Sequence, residues 1–428
     1  MSVITEGITE FEVIVNNMAK TRQRLEARSA TKSDIYFWQA LQDYYNNALQ
    51  AAREGKPLIL SGMFPPHELF TAMDIPYYVA ENHAIMTGQS GADVTISLME
   101  KGESYGMSAD VCSPHRVAIG VARSGMAPRP TMVVSTSTTC DQTLKLYELL
   151  ADFYSVPNYM VDSTFRLDKA SIDYGKKDIQ ELIGFLEVQT GKKLDMDKLK
   201  QVLRLSRESY DYWEKICDLR KAVPCPAGGR SGIKDLTVIQ IACGTELGVK
   251  YFQARYQELK EKVDKGEGAI SPEKHRIAWL YVLPLFDLKI ADWLEEEFGA
   301  VIAVDSFGYA TTGIELNPDD PLEFLVKKPL KRGFVCKGYG ANEDTHFVDE
   351  LARVTEEYHA DVAILLSHWS CQQYCGVIRL LRDAIGGKLG LPFFILNGDL
   401  MDPRVASSEQ MKAELTEFFT TSVPNSKR

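Results

Sequence analysis

Short apolar runs alternate with amphipathic segments in two separate regions of the chain. Apolar runs of four to eight residues bounded by turn residues are typical of buried strands, and apolar residues three or four apart are typical of helices. Strands that alternate with helices predict parallel sheets with crossover helices. The predicted strands are 57–61, 132–135 and 159–162 in the first region and 277–283, 301–304, 362–366 and 393–396 in the second.

This alternation divides the chain of 428 residues into four parts. Residues 1–56 have two helical patterns, and residues 57–167 form the first α/β lobe. Residues 168–276 are charged and follow a helical period, which predicts a helical insert, and residues 277–428 form the second α/β lobe. The expected fold class is therefore α/β, with two parallel-sheet lobes, a helical N-terminal part and a helical insert.

Composition and charge exclude several classes of protein. A net charge of -11 argues against nucleic-acid binding, which needs a basic surface. No apolar run approaches the roughly 20 residues of a membrane helix, and the N-terminus lacks the basic and apolar segments of a signal peptide. We therefore expect a cytoplasmic protein, in which the eight cysteines are free thiols or metal ligands.

Three cysteines stand at the ends of apolar runs, where a parallel sheet binds its ligands. They are Cys112, Cys140 and Cys371, which are 28 and 231 residues apart. Thiols collected from strand ends in a reducing compartment favour a metal site over disulfides. The compact spacing of ferredoxins is absent, so a cluster here requires a site assembled by the tertiary fold. The leading hypothesis is an iron–sulfur redox protein.

The other cysteines allow both a ligand role and a structural role. Cys375 follows Cys371 by four residues, which on a helix places both thiols on one face, suited to one cluster assembly or to close packing. Cys225 lies between two prolines in a glycine-rich loop, and Cys336 lies in a second glycine-containing stretch. Core packing is the better interpretation of the remaining two, Cys217 and Cys243.

Six motifs spread over nearly the whole chain belong together. They are Pro66-His-Glu-Leu, Asp110-Val-Cys-Ser-Pro-His-Arg116, Thr139-Cys-Asp141, the proline-flanked loop 223–226, Ser370-Cys371 and Asn397-Gly-Asp-Leu-Met-Asp-Pro-Arg404. With these motifs the chain resembles the subunits of 2-hydroxyacyl-CoA dehydratases and benzoyl-CoA reductases. The resemblance implies two flavodoxin-like lobes with a helical part.

The resemblance also implies a cofactor and a partner. In the family a [4Fe–4S] cluster is held between the lobes at the positions of Cys112, Cys140 and Cys371. Its electrons come from a separate ATP-hydrolysing [4Fe–4S] activator protein. This chain has no Gly-x-x-x-x-Gly-Lys-Ser/Thr loop, so an ATP-driven reaction requires that external ATPase.

Three surplus cysteines point to one branch of the family. A double-cubane [8Fe–9S] cluster needs six thiolate ligands, and the chain reaches this number with Cys225, Cys336 and Cys375. Cys243 could replace Cys225 or Cys336 in this set. The chain thus most resembles the double-cubane cluster proteins, which implies a homodimer that reduces small unsaturated molecules. Two alternatives stay open: a single-cubane dehydratase or reductase subunit with a different partner subunit, and a non-catalytic electron carrier.

Several polar residues are candidates for acid–base chemistry or binding. Glu68 matches a family carboxylate close to the cluster, although an ordinary charge at a helix start explains it too. Ser61 is either a substrate contact or a turn residue. His115 lies close to Cys112 in the sequence; it either donates protons and tunes the cluster, or it is an ordinary hydrogen-bonded loop histidine. The histidines lack zinc-site spacing. Only the stretch 327–332 is basic enough to suggest a coenzyme-A entrance, and a solvated charged face explains it equally well.

Overall fold

A computed structural model describes residues 2–138, 140–164, 166–331 and 347–424, with side chains from residue 7 onward. Eight strands are present in it: β1 Ile59–Ser61, β2 Tyr77–Val79, β3 Met132–Thr136, β4 Asn158–Val161, β5 His275–Trp279, β6 Ala300–Asp305, β7 Val362–His368 and β8 Phe393–Gly398. The helices of the N-terminal part and first lobe are α1 Ser2–Ala27, α2 Lys32–Arg53, α3 His67–Ala72, α4 Ala80–Gly88, α5 Ala92–Glu103, α6 Ser113–Arg123 and α7 Asp141–Tyr154.

Four helices, three of them with 20 residues or more, follow the first lobe, and helices of at most 14 residues surround the second sheet. The insert contains α8 Lys169–Thr190, α9 Met196–Leu219, α10 Ser231–Ile241 and α11 Glu246–Lys265. The second lobe contains α12 Ile290–Phe298, α13 Pro321–Lys327, a 3-10 turn Lys328–Lys331, α14 Phe347–Glu357, α15 Gln372–Leu381, a π-helical turn Arg382–Lys388 and α16 Ser408–Thr421.

The two sheets have the same topology. The first has the order β2-β1-β3-β4 and the second the order β6-β5-β7-β8, and every neighbouring pair is parallel. Each order is that of the first four strands of a flavodoxin-like sheet. The predicted α/β class with two parallel-sheet lobes is therefore confirmed, while the domain limits stay a prediction.

Most strands are buried, whereas the edge strands β4 and β8 are partly exposed. All residues of β3 and β6 are buried, as expected for parallel strands that pack on two sides. Helix α2 covers the edge strand β2, where the hydroxyl oxygen of Tyr44 accepts a hydrogen bond of 2.6 Å from the Val79 amide. This contact occupies backbone that an open edge would expose.

The helical insert connects the lobes. Helix α9 contacts α3 in the first lobe and α13 in the second, and Cys217 of α9 packs against the Gly308 carbonyl beyond β6. Cys217 is buried, in agreement with the core role predicted for it. Within the described residues, no helix is long and apolar enough to cross a membrane.

Candidate functional site

The candidate ligands lie where each sheet reverses its strand order. This position lies between β1 and β3 in the first sheet and between β5 and β7 in the second. Ser61 is the last residue of β1, Cys140 follows β3, and Cys371 follows β7. Open parallel sheets bind ligands beyond the carboxyl ends of their strands at this point of reversal.

Each of the three family-matched cysteines immediately precedes a helix. Cys112 is the N-cap residue of α6, Cys140 that of α7 and Cys371 that of α15, and none of their side chains caps its helix. The N-terminus of a helix carries partial positive charge and free N–H groups, which favour the thiolate form of a nearby cysteine. Three thiols in this setting are suited to binding metal.

The side chain of Gln142 brings the three cysteine segments together. Its Oε1 accepts a hydrogen bond of 2.8 Å from the backbone N–H of Cys112, and its Nε2 donates one of 3.3 Å to the carbonyl of Ser370. Gln142 follows Cys140 by two residues, and Ser370 directly precedes Cys371. One side chain thus joins two segments of the first lobe to one of the second.

The three thiols also influence one another electrostatically. Burial raises the pKa of Cys112 well above its usual value, and the charges of Cys140 and Cys371 raise it further. Burial likewise raises the pKa of Cys140, with a smaller contribution from Cys371. Negative charge on all three sulfurs is therefore unfavourable without a compensating positive group.

The chemistry of these donors fits an iron–sulfur cluster. Within the described ranges, no group of three or more His, Cys, Asp or Glu side chains is placed to hold one metal ion. Soft thiolates are the ligands that iron–sulfur clusters use, and iron supplies the missing positive charge.

Cys375 lies beside Cys371, as its spacing predicted. The two residues are joined by a hydrogen bond of 3.0 Å from the Cys375 amide to the Cys371 carbonyl, in the first turn of α15. The Cys375 thiol donates to the His368 carbonyl at 3.4 Å. Both side chains are partly exposed.

Cys225 lies apart from this group. It is fully buried near the amino end of β5, where its N–H donates to Glu273 at 2.5 Å. Burial raises the pKa of its thiol, which Arg220 and Arg276 partly offset. Strand β5, about 16 Å long from its five residues, separates this end of the sheet from the edge that carries Cys371. The structure therefore does not bring Cys225 together with the other thiols.

Two further cysteines complete the set of candidates. Cys243 is buried, and its sulfur lies 3.0 Å from the Ser206 hydroxyl. That hydroxyl donates to Glu68, which follows β1 at the carboxyl edge of the first sheet. Through Ser206, Cys243 is therefore linked to Glu68 at the candidate site, although its sequence context predicted a role in core packing. Cys336 lies outside the described residues.

A buried carboxyl group, Glu81, lies close to the thiols and was not expected from the sequence. It accepts a short hydrogen bond from the Tyr147 hydroxyl, and its Oε1 lies 3.7 Å from Nε2 of His115. Burial raises the pKa of Glu81 to about 7 and lowers that of His115 to about 4, with a further decrease from His368. Near neutral pH, Glu81 and His115 form a carboxyl–imidazole pair that can hold or transfer a proton.

The sequence signal for Glu81 was weak because β2 has only three residues. Tyr77-Tyr-Val79 is too short to stand out as an apolar run, so the acidic residue at its carboxyl end was not recognised. The position itself follows the rule that predicted Cys140 and Cys371, namely the carboxyl ends of parallel strands. The prediction that Cys112 also ends a strand was wrong, because Cys112 follows helix α5 and a turn.

Ser61 and Glu68 are both fully buried. The Ser61 hydroxyl donates to the Gly62 carbonyl at 3.0 Å and lies 3.0 Å from Nε2 of His67. Glu68 accepts hydrogen bonds from Lys328 at 2.6 Å and from Ser206 at 2.8 Å. Burial alone would raise the pKa of Glu68, but Lys328 and Ser206 hold it below its ordinary value.

The basic stretch proposed as a coenzyme-A entrance is engaged in ion pairs. Lys328 pairs with Glu68, and Lys331 pairs with Glu214. Lys327 pairs with Glu323, with Nζ at 2.5 Å from Oε1. Lys328 and Lys331 are buried. These three cations are therefore committed to neighbouring carboxylates, and residue 332 lies outside the described ranges.

Comparisons with known proteins show similarity over most of this chain. A family model described as 2-hydroxyglutaryl-CoA dehydratase, D-component, matches residues 62–421. The (R)-2-hydroxyisocaproyl-CoA dehydratase alpha subunit of Clostridioides difficile is 29% identical over 394 residues, which cover 88% of this chain and 92% of that protein. A benzoyl-CoA reductase subunit of Thauera aromatica is 27% identical over 401 residues, which cover 87% and 90%. The chain belongs to the 2-hydroxyglutaryl-CoA dehydratase D-component family, as its motifs predicted.

Proposed function

We propose that this chain is an iron–sulfur reductase whose cluster is held between the lobes by Cys112, Cys140 and Cys371. The observation that carries the proposal is that the side chain of Gln142 joins the backbones of the three cysteine segments, with each cysteine at a helix N-terminus. When bound, such a cluster supplies one-electron chemistry at low potential. Family membership supports an enzymatic role, because the related chains are dehydratase and reductase subunits.

The finer proposal is a double-cubane [8Fe–9S] cluster with six thiolates. Cys375 supports it, since it lies one helical turn from Cys371. Cys336 is the fifth candidate on sequence grounds. For the sixth ligand the contacts favour Cys243 over Cys225, because Cys243 shares the surroundings of Glu68 whereas Cys225 lies at the opposite end of β5.

Glu81 and His115 are the residues we propose for proton transfer at this site. Their 3.7 Å contact is buried, and the raised pKa of Glu81 leaves a proton available near neutral pH. Ser61 and Glu68 stay candidates from the sequence, although the engagement of Glu68 by Lys328 favours a structural role for it.

Small unsaturated molecules are the proposed substrates. Electrons are proposed to come from a separate ATP-hydrolysing [4Fe–4S] activator, and a second copy of this chain is the proposed partner subunit. Because Lys327, Lys328 and Lys331 are paired with carboxylates, this stretch gives no support for a coenzyme-A ester, whose phosphates need free cations.

The alternative is a [4Fe–4S] subunit of a 2-hydroxyacyl-CoA dehydratase or benzoyl-CoA reductase. The names of the related chains favour it, since each is called one subunit of its enzyme, in the dehydratases the alpha subunit. In that case a different chain completes the enzyme.

The first experiment is to measure iron and acid-labile sulfide per chain in protein purified without oxygen. About eight irons support the double cubane, about four support the single-cubane alternative, and none contradicts both. Cys112→Ser, Cys140→Ser and Cys371→Ser should each lose iron. Cys217→Ser is the matched control, because this buried thiol contacts Gly308 and Ala310 and should retain full iron content.

A further inference from the structure

Four buried or partly buried residues form a closed ring across the boundary between the lobes: Cys112, Ser113, His368 and Asp399. The Cys112 sulfur lies 3.3 Å from Nε2 of His368, and Nδ1 of His368 lies 3.1 Å from Oδ2 of Asp399. The Ser113 hydroxyl donates a short hydrogen bond to Oδ1 of Asp399. Since Ser113 is bonded to Cys112 in the chain, the contacts close into what we call the cross-lobe ring.

The surrounding backbone holds Asp399 in place. Its Oδ1 accepts hydrogen bonds of 2.9 Å from the amides of both Met401 and Asp402, and the Met401 amide also lies 3.1 Å from the Ser113 hydroxyl. Burial would raise the pKa of Asp399, but His368 and these donors lower it to about 2. The carboxylate is therefore a fixed anion that orients the imidazole of His368.

His368 touches both halves of the candidate site. Its side chain reaches Cys112 of the first lobe, while its carbonyl accepts a hydrogen bond of 2.8 Å from the Cys371 amide in the second lobe. The same carbonyl accepts from the Cys375 thiol at 3.4 Å. The position of this one residue therefore affects three candidate ligands. The ring of Tyr281 packs on the imidazole at 5.9 Å and restrains it further.

We propose that His368 and Asp399 are positioning residues that fix the Cys112 sulfur relative to Cys371 and make the first-lobe ligand dependent on the second lobe. The part of this proposal that concerns the cluster rests on the proposed function. Residues outside the ligand set that orient a metal ligand change both its affinity and the properties of the metal. A hydrogen bond to a ligand sulfur also affects the reduction potential of a cluster.

The ring itself can be tested in metal-free protein with a double-mutant cycle. Ser113→Ala and His368→Asn each open the ring, so the melting-temperature decrease of the double variant should be smaller than the sum of the two single decreases. Ser113→Ala combined with Tyr251→Phe is the matched control. Tyr251 donates to Asp235 away from the ring, and this pair should be additive. Additive decreases for Ser113→Ala and His368→Asn would overturn the proposal.

A second pair of variants tests the effect on the cluster. The amide of His368→Gln reaches the place of Nε2 and can still bond to the Cys112 sulfur, whereas the shorter His368→Asn reaches only the place of Nδ1. We expect His368→Asn to lose iron and to shift the midpoint potential downward, and His368→Gln to stay closer to the wild type. Unchanged iron and potential in His368→Asn, or equal changes in both variants, would contradict the proposal.

The two experiments separate this inference from the proposed function. A wild-type chain that binds no iron would contradict the proposed function, and the cycle in metal-free protein would still decide whether the ring exists. If His368→Asn does not fold, His368→Gln replaces it in the cycle, because it opens the ring at the contact with Asp399 instead of the contact with Cys112. The expected result is then the same non-additive decrease.

Discussion

The carboxyl group of Glu81 shows how burial changes the chemistry of one side chain. Its ordinary pKa of 4.5 rises to about 7 because the folded protein removes it from water, although the hydrogen bond from Tyr147 opposes the change. A raised pKa in the folded state means that the neutral form is favoured by folding. Protonated Glu81 therefore contributes its full stabilisation of the folded protein below pH 4.5, and this contribution is lost as the pH rises through about 7.

Glu81→Gln should therefore change the pH dependence of stability. The glutamine cannot ionise, so the variant should gain stability relative to the wild type as the pH rises from 4.5 to above 7. The rise of the pKa of Glu81 from 4.5 to about 7 corresponds to about 3 kcal/mol. Urea unfolding of metal-free protein at a series of pH values measures this difference in the free energy of unfolding between the variant and the wild type. A constant difference between the two proteins over this range would contradict the prediction.

Gln142 is the residue whose removal should disconnect the three cysteine segments. Gln142→Ala loses two hydrogen bonds, which together contribute about 1–3 kcal/mol, and we expect it to reduce both stability and iron retention. Gln253→Ala is the control, because Gln253 bonds to Glu208 on a helix of the insert. It should leave iron content unchanged. Full iron retention in Gln142→Ala after anaerobic gel filtration would show that Gln142 does not organise the site.

At the scale of elements, close packing of α5 on α6 positions the helix that begins after Cys112. A Cβ atom on Gly120 would lie 2.0 Å from the Leu98 carbonyl oxygen, and one on Gly102 would lie 2.3 Å from that of Arg116. Both contacts involve backbone atoms, which cannot move aside as a flexible side chain can. Glycine at these two positions is therefore a requirement of the contact between the helices.

Gly120→Ala should destabilise the protein and displace α6. We expect a loss of at least about 1–3 kcal/mol, typical of overpacking, together with reduced iron content. Gly184→Ala is the control, since Gly184 lies in the interior of α8 with open space around it, and alanine there should stabilise by about 0.5–1 kcal/mol. Chemical denaturation measures the free energy of unfolding of both variants. Equal effects would show that the close approach of the helices is unimportant.

The elements also show what could be predicted from the sequence. The apolar runs that begin at residues 132, 301, 362 and 393 are strands, as predicted, because a short apolar run bounded by turn residues is a local signal. Strand β5 is shorter than the predicted 277–283, since the chain leaves the sheet after Trp279. The role of Gln142 and the cross-lobe ring had no local signal, because each joins residues more than 200 positions apart and depends on how the lobes meet.

At the scale of the whole molecule, two sets of polar contacts hold the lobes together around the site. On one side, buried Arg116 of the first lobe bonds to the Val111 carbonyl and to Glu103, and lies 3.4 Å from Asp402 of the second. On the other side, Glu68 of the first lobe pairs with Lys328, from the segment between β6 and β7. The lobe boundary therefore contains charged groups whose pairing depends on correct docking of the lobes.

The pair of Glu68 and Lys328 gives the sharpest test of this boundary. Both side chains are almost fully buried, at 0% and 2% exposure, and Ser206 also donates a hydrogen bond to the carboxylate. Lys328→Met leaves the Glu68 charge buried without its cation, so we expect a loss of about 3–5 kcal/mol in urea unfolding. In the double variant with Glu68→Leu the uncompensated charge is gone, and most of that loss should be recovered.

The same variants distinguish a structural Glu68 from a catalytic one. Lys169→Met is the control for removing a cation, because its pair with Asp173 is exposed and should contribute less than about 1 kcal/mol. If Glu68 only joins the lobes, the double variant should regain iron content and turnover together with stability. If Glu68 transfers protons, the double variant should regain stability and iron but stay inactive, and the assignment of proton transfer to Glu81 and His115 would then have to include Glu68.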